Sequence, residues 1–150
     1  MKIYFAGPLF TPYERAFIDD CAARLRAEGF DVFVPHEHEL ALGAEVAAAS
    51  IFAKDRPGIE GANVMLAILD GPTIDDGTAC EIGIFHALMR SDPEKKGVVG
   101  LVTDLRALRD STREGEARGL NLFVVGCIEA GGTVVTSLEA AHAVLEGWRG

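Results

Sequence analysis

The chain has 150 residues, of which 49% are hydrophobic and 25% charged, with a formal net charge of -9. That length fits one domain, residues 1–150, around one core, and the composition is ordinary for a globular chain in water. An acidic surface repels phosphate backbones, which excludes a general nucleic-acid binder but leaves room for a small ligand in a locally different field.

Lys2 to Ala6 reads as a short buried strand, ended by Gly7-Pro8. In "TPYERAFIDDCAARLRAEG" Thr11 caps a helix, Pro12 suits its first position and Glu14 completes a T-x-x-E capping box. Phe17, Cys21 and Leu25 recur on one face of that helix, and Gly29 ends it. "FDVFVP" predicts a second strand stopped by Pro35, followed by a loop with "HEHE" and a helix over Ala41 to Lys54. "NVMLAILD" predicts a third strand whose lack of alternation fits a sheet covered on both faces. A helix is expected from about Ala79 to Met89, then a fourth strand in "GVVGLVTD" and a fifth in "LNLFVVGCI". Leu105 to Gly119 is charged, poor in large apolar residues and reads as a loop, and Ser137 caps a closing helix that runs to Trp148.

Strands alternating with helices imply parallel βαβ units. The expected architecture is a single-domain α/β three-layer sandwich, flavodoxin-like or Rossmann-like, with a five-stranded parallel sheet. Ligands of such sheets sit beyond the carboxyl ends of the strands. That rule selects Gly7 to Phe10, Pro35 to Glu39, Asp70 to Glu81 and Thr103-Asp104 as the functional rim.

"LDGPTIDDGTACEIGIFHAL" places Asp70, Asp75, Asp76 and Glu81 between a greasy strand and a greasy helix. Thr78-Ala79-Cys80-Glu81 reads as a second capping box, with Asp75, Asp76 and Gly77 as an ordinary turn. The same residues also read as a catalytic site. A carboxylate in the first turn of a helix stays ionised beside the helix dipole, as a nucleophile must, and Asp75 reaches the same pocket to grip hydroxyls.

Other motifs have plainer readings. His36 and His38 flank Glu37, but no third ligand is placed, so no metal is expected. Cys80 reads as a packed small residue and Trp148 as an anchor. Arg106, Arg109 and Arg113, interleaved with acids, read as a solvated face. GxGxxG and GxxxxGK[ST] are both missing. The three cysteines, Cys21, Cys80 and Cys127, suggest no disulfide framework, and a cytoplasmic location is expected. No stretch approaches the roughly 20 apolar residues of a membrane span, and the apolar run of "MKIYFAGPLF" is too short for a signal peptide.

"KIYFAGPLF", Asp55, "DDGTACEIG", "GLVTD" and "NLFVVGCI" with its following glycine turn together resemble the nucleoside 2-deoxyribosyltransferases, whose relatives include nucleotide N-glycosidases. The resemblance covers most of the chain. It implies that Glu81 is the nucleophile, oriented by Tyr4, and that Asp55 contacts the base and helps protonate the leaving nitrogen. It implies that Asp75 holds the sugar hydroxyls and that Phe10, with Gly7 on the same rim, lies by the base. It implies that Asn121 reaches the 5′-hydroxyl from a neighbouring subunit, so the active unit is a homo-oligomer built from dimers with shared sites. The implied partners are 2-deoxyribonucleosides and free nucleobases, without cofactor, metal, nucleic-acid polymer or membrane. Two alternatives stand beside the transferase: an N-glycosidase that uses water as acceptor on a 2-deoxynucleoside or its 5′-phosphate, and a non-catalytic nucleotide-binding module.

Overall fold

The computed structural model describes residues 1–38, 40, 46–108 and 119–149. Five strands, β1 (Lys2–Ala6), β2 (Asp31–Phe33), β3 (Val64–Ile68), β4 (Gly97–Leu101) and β5 (Thr133–Val135), form one sheet in the order β2-β1-β3-β4-β5. Every neighbouring pair is parallel. This is the flavodoxin-like order, so the strand direction of the sequence reverses between β1 and β3.

Side chains alternate across each strand, and the two sheet faces are buried under different helices. Ile3, Phe5, Leu66 and Ile68 pack with Ile18, Cys21 and Leu25 of α1 (Pro12–Ala27) and with Leu138 and Leu145 of α5 (Leu138–Arg149). Tyr4, Ala6, Met65 and Ala67 face the other way. There they meet Ile59 of α2 (Ala48–Gly61), Ile82 and Phe85 of α3 (Asp76–Met89), and Val125 and Ile128 of α4 (Leu122–Glu129). The three-layer α/β sandwich expected from the strand and helix alternation is therefore the observed fold.

Local helix signals hold where their chemistry is self-contained. Glu14 N–H donates to Thr11 Oγ1 (3.2 Å) and Thr11 N–H donates to Glu14 Oε2 (2.7 Å), closing the expected box at α1. Ala140 N–H donates to Ser137 Oγ at 3.1 Å, the expected cap of α5. The buried stripe of α1 is Ile18, Cys21, Ala22 and Leu25, so Phe17 is displaced from it and stays partly exposed.

Four expectations are corrected. "LNLFVVGCI" is not a strand but contains α4, because the Asn121 side chain accepts from Phe123 N–H (3.0 Å) and Val124 N–H (3.3 Å) and starts a helix. The fifth strand is instead Thr133–Val135, admitted beside β4 by Gly132, whose absent Cβ would stand 1.8 Å from Val98 O. The second helix does not stop at Lys54. It continues to Gly61 through Pro57, whose missing N–H leaves the carbonyl of exposed Ala53 to water. Gly58 then lies against Phe33, whose ring would be 2.7 Å from an added Cβ. The part of that expectation over 41–45 lies outside the described residues. In the segment Leu105 to Gly119, Leu105–Leu108 forms a single 3-10 turn and Arg106 is buried rather than solvated. Positions 109–118, with Arg109 and Arg113, lie outside the described residues. The fourth correction, at the start of α3, belongs to the site below. Among the described residues no helix is long and apolar enough to cross a membrane.

The cap at Asn121 has a measurable consequence. Asn121→Ala should lower stability by about 1 kcal/mol in urea denaturation, and Asn121→Asp should restore it, because both Asn and Asp cap well.

Candidate active site

Tyr4 and Ala6 of β1 both point to the α2–α3 face, where Tyr4 has no solvent exposure. Its hydroxyl donates to Glu81 Oε1 at 2.5 Å. The two residues are brought together across the sheet–helix interface at the point where strand order reverses. Ala6 pairs with Ala67 in register, so the next pair on the sheet face beyond Tyr4 carries two methyl groups.

Glu81 is not the partner in a capping box. The N-cap of α3 is Asp75, whose Oδ2 accepts from Thr78 N–H (2.8 Å) and Thr78 Oγ1–H (3.0 Å). Ala79 N–H donates to Asp75 O at 2.8 Å, so the helix is under way one turn before Glu81. The expected start at Ala79 is moved to Asp76, and Glu81 falls in the second turn. The expected stabilisation of its charge in the first turn is also overturned. Burial pushes the Glu81 carboxyl up to about 7, against the lowering effect of the Tyr4 hydrogen bond. The charges of Asp55 and Asp75 push it further up, and the Lys54 ammonium pulls it down. Tyr4 is held far above its ordinary range, first by burial and then by the negative charge of Glu81.

Asp55 enters from α2. Its Oδ1 is 3.1 Å from Lys54 Nζ. That contact is an ion pair whose alignment falls short of a hydrogen bond, and the ammonium also donates to Pro35 O at 2.7 Å. Tyr4, Asp55, Asp75 and Glu81 are thus gathered by three different elements. The remaining residues expected at the site lie elsewhere or have other contacts. Phe10 is 76% exposed on the segment after β1. Gly7 sits at the crossing of α1 and β3, where an added Cβ would be 2.9 Å from Ile18 Cδ1 and 3.1 Å from Ile68 Cβ, on the face away from Tyr4. Asn121 is engaged as the cap of α4. A cleft of about 240 Å³ between Tyr13, Phe17, Asp70 and Thr103 is likewise on the α1 side of the sheet.

Phe33 escaped the sequence reading, and so did the partners of several rim residues that it named. Phe33 stacks on Tyr4 (centroids 5.5 Å apart) and His38 stacks on Phe33 (4.0 Å), so two rings back the phenol. His36 pairs with Asp19 at 2.7 Å. Asp70 accepts from Thr103 N–H (2.6 Å), Asp104 N–H (3.2 Å) and the Thr103 hydroxyl. Asp104 returns the tie by accepting from Gly71 N–H at 3.0 Å. Arg106 donates to Asp104 from Nε and Nη2 and also to Leu69 O. The Arg106 hydrogen bonds hold the Asp104 carboxyl down at about 2. The signal for this clamp was present in "LD" ending β3 and "TD" ending β4, two acids at equivalent strand ends. Lys54 was signalled only by its place beside Asp55.

A sequence profile described as nucleoside 2-deoxyribosyltransferase matches residues 3–140. Among solved structures, a conserved protein from Enterococcus faecalis is 30% identical over 98% of both chains, with a TM-score of 0.80. A 2-deoxyribosyltransferase from Bacillus psychrosaccharolyticus is 24% identical over 94% of this chain and 90% of its own, with a TM-score of 0.67. A CMP N-glycosidase from Clostridium botulinum shares the fold over 99% of both chains at 16% identity and a TM-score of 0.56. A search of curated protein sequences finds no match.

The buried carboxyl makes stability depend on pH with a defined sign. The folded value of about 7 lies above the unfolded reference of 4.5, so below pH 4.5 Glu81 is protonated in both states and folding carries no penalty. Above pH 7 the folded state holds an unfavourable charge worth about 3 kcal/mol. Glu81→Gln should therefore be more stable than the parent at pH 8, and the gap should close as pH falls from 7 to 4.5. Equal melting temperatures for the two proteins at pH 8 would contradict the burial argument. Asp75 separates cap from charge: Asp75→Ala should cost about 1 kcal/mol, whereas Asp75→Asn should fold as well as the parent and move the Glu81 titration down.

Proposed function

The chain belongs to the nucleoside 2-deoxyribosyltransferase family, and on that basis we propose that it moves 2-deoxyribose between nucleobases through a covalent deoxyribosyl-Glu81 intermediate. The observation that carries this reading is the 2.5 Å hydrogen bond from Tyr4 to Glu81 inside a cluster with Asp55 and Asp75.

With Oε1 held by Tyr4, Oε2 attacks the anomeric carbon. The C1′–N bond breaks, its electron pair leaves with the base, and Asp55 guides a proton to the departing nitrogen. Asp75 accepts hydrogen bonds from the sugar hydroxyls. The developing oxocarbenium charge forms beside a carboxylate, which stabilises it. The absence of a 2′-hydroxyl makes that charge easier to develop. A second base then displaces Glu81 from the sugar, and two inversions give net retention, as in retaining glycosidases. Only ionised Glu81 attacks, so kcat/KM should rise with pH through about 7.

Assembly fits the same reading. The exposed large apolar residues Phe10, Tyr13, Phe52, Leu105, Leu108, Leu122 and Phe123 lie on segments that follow strand ends or begin helices at the rim that carries the carboxylates. An apolar rim around an acidic site suits a second copy of the chain, with its Asn121 supplied to the neighbour's sugar.

The test is base exchange. Deoxyinosine with adenine should yield deoxyadenosine, and Glu81→Ala should reduce the rate by several orders of magnitude while remaining folded. Free deoxyribose released at the same rate with or without adenine would make the chain a hydrolase. A 2-fluoro sugar analogue should leave one added sugar on Glu81 by intact mass, and a label on Asp75 would reverse their roles. Mixed Glu81→Ala and Asn121→Ala subunits should regain partial activity if sites are shared, and none if Asn121 acts only within its own chain.

A further inference from the structure

One cation stands inside the carboxylate cluster, and no step of the transfer described above uses it. Lys54 Nζ is 3.1 Å from Asp55 Oδ1, and the Lys54 side chain is only 16% exposed. One of its three protons is directed at Pro35 O, 2.7 Å away, in the turn that follows β2. Asp55 Oδ1 is buried beside the ammonium without forming a well-aligned hydrogen bond to it. The lysine is therefore pinned by a backbone carbonyl on one side and acts on the acids by its field.

We propose that Lys54 is a positioning residue that serves as the counter-charge of the site, keeping Glu81 available as the ionised nucleophile. The proposal rests on Glu81 being the nucleophile. Among the described residues the groups that act on that carboxyl are Tyr4 from β1, Lys54 and Asp55 from α2, and Asp75 at the cap of its own helix. Tyr4 offers a neutral hydrogen bond and the two aspartates oppose ionisation, so Lys54 is the positive charge among them. In a half-buried cluster such a field is screened far less than at the surface.

The sequence places the lysine well for this task. Lys54 and Asp55 are adjacent on α2. Their different roles follow from their separate anchors: Lys54 reaches the Pro35 carbonyl, and Asp55 faces the sheet–α3 junction, where its charge acts on both Tyr4 and Glu81.

The experiment is a titration of Glu81 by carboxyl-carbon NMR on the full chain, with the signal assigned by its loss in Glu81→Gln. Lys54→Met removes charge and donor. Lys54→Gln keeps a donor for Pro35 O without the charge, and Lys54→Arg keeps the charge. The Glu81 midpoint should rise by roughly half a pH unit or more in the Met and Gln variants and stay near the parent in the Arg variant. The rising limb of kcat/KM should move by the same amount, making both neutral variants about threefold slower below the limb and equal to the parent well above it. An unmoved midpoint in either folded neutral variant overturns the proposal, and so does an equal rise in Lys54→Arg. The titration needs no substrate, so a chain that transfers no sugar would overturn the transferase reading while this measurement still decides the role of Lys54.

Discussion

A carboxylate forced to share a dry interface with a phenol is the constraint around which this molecule is arranged. Tyr4 is wholly buried on the sheet, and Glu81 meets it from α3 at 2.5 Å. Removing Glu81 from water disfavours its charge, and the donated hydrogen bond offsets only part of that cost, so the carboxyl is poised about 7. The ring of Tyr4 has its own support in Phe33 and His38, and Phe33 can lie there because Gly58 of α2 offers no Cβ. The helix that bears Asp55 and Lys54 is thereby packed onto the strand beside the one that bears Tyr4. A carboxyl tuned by burial needs this rigid backing, since small displacements would let in water and remove the tuning.

The acids of the rim divide their work by what they bind. Asp70 and Asp104 reach across to each other's loop and accept backbone N–H groups, and Arg106 binds Asp104 and the carbonyl of Leu69. These contacts join the ends of β3 and β4 and fix the exit of the loop that leads to Asp75. Asp75 caps α3 through one oxygen. Among the described residues no backbone N–H donates to the Glu81 or Asp55 side chain, and Glu81 is held instead by the Tyr4 hydroxyl. A concentration of carboxylates that looks like one site in the sequence is a clamp at the strand ends, a cap on α3 and a buried pair beside Tyr4.

The parallel sheet, its two covered faces and the caps of α1 and α5 were legible in the residues themselves, because each rests on a local pattern: an apolar run between breakers, or a hydroxyl three residues before the N–H that donates to it. Asp75 and Glu81 stand out in the residues themselves as part of a carboxylate cluster, Tyr4 and Asp55 enter through the resemblance, and the structure brings the four together. The start of α3 was misread because two capping signals overlap, and Asp75 takes the Thr78 N–H before Thr78 can act as a cap. The run at Leu120 to Ile128 has no polar alternation and suits strand or helix equally, and the tie was broken by the Asn121 cap and by the room Gly132 leaves for Thr133–Val135 beside β4. Burial of Arg106 and the placement of Lys54 between Pro35 and Asp55 depend on partners far along the chain. Sequence by itself determined which segments are apolar and which residues carry chemistry. Tertiary structure decided which charges face one another and how much water they keep, and both depend on contacts between segments that no local pattern encodes.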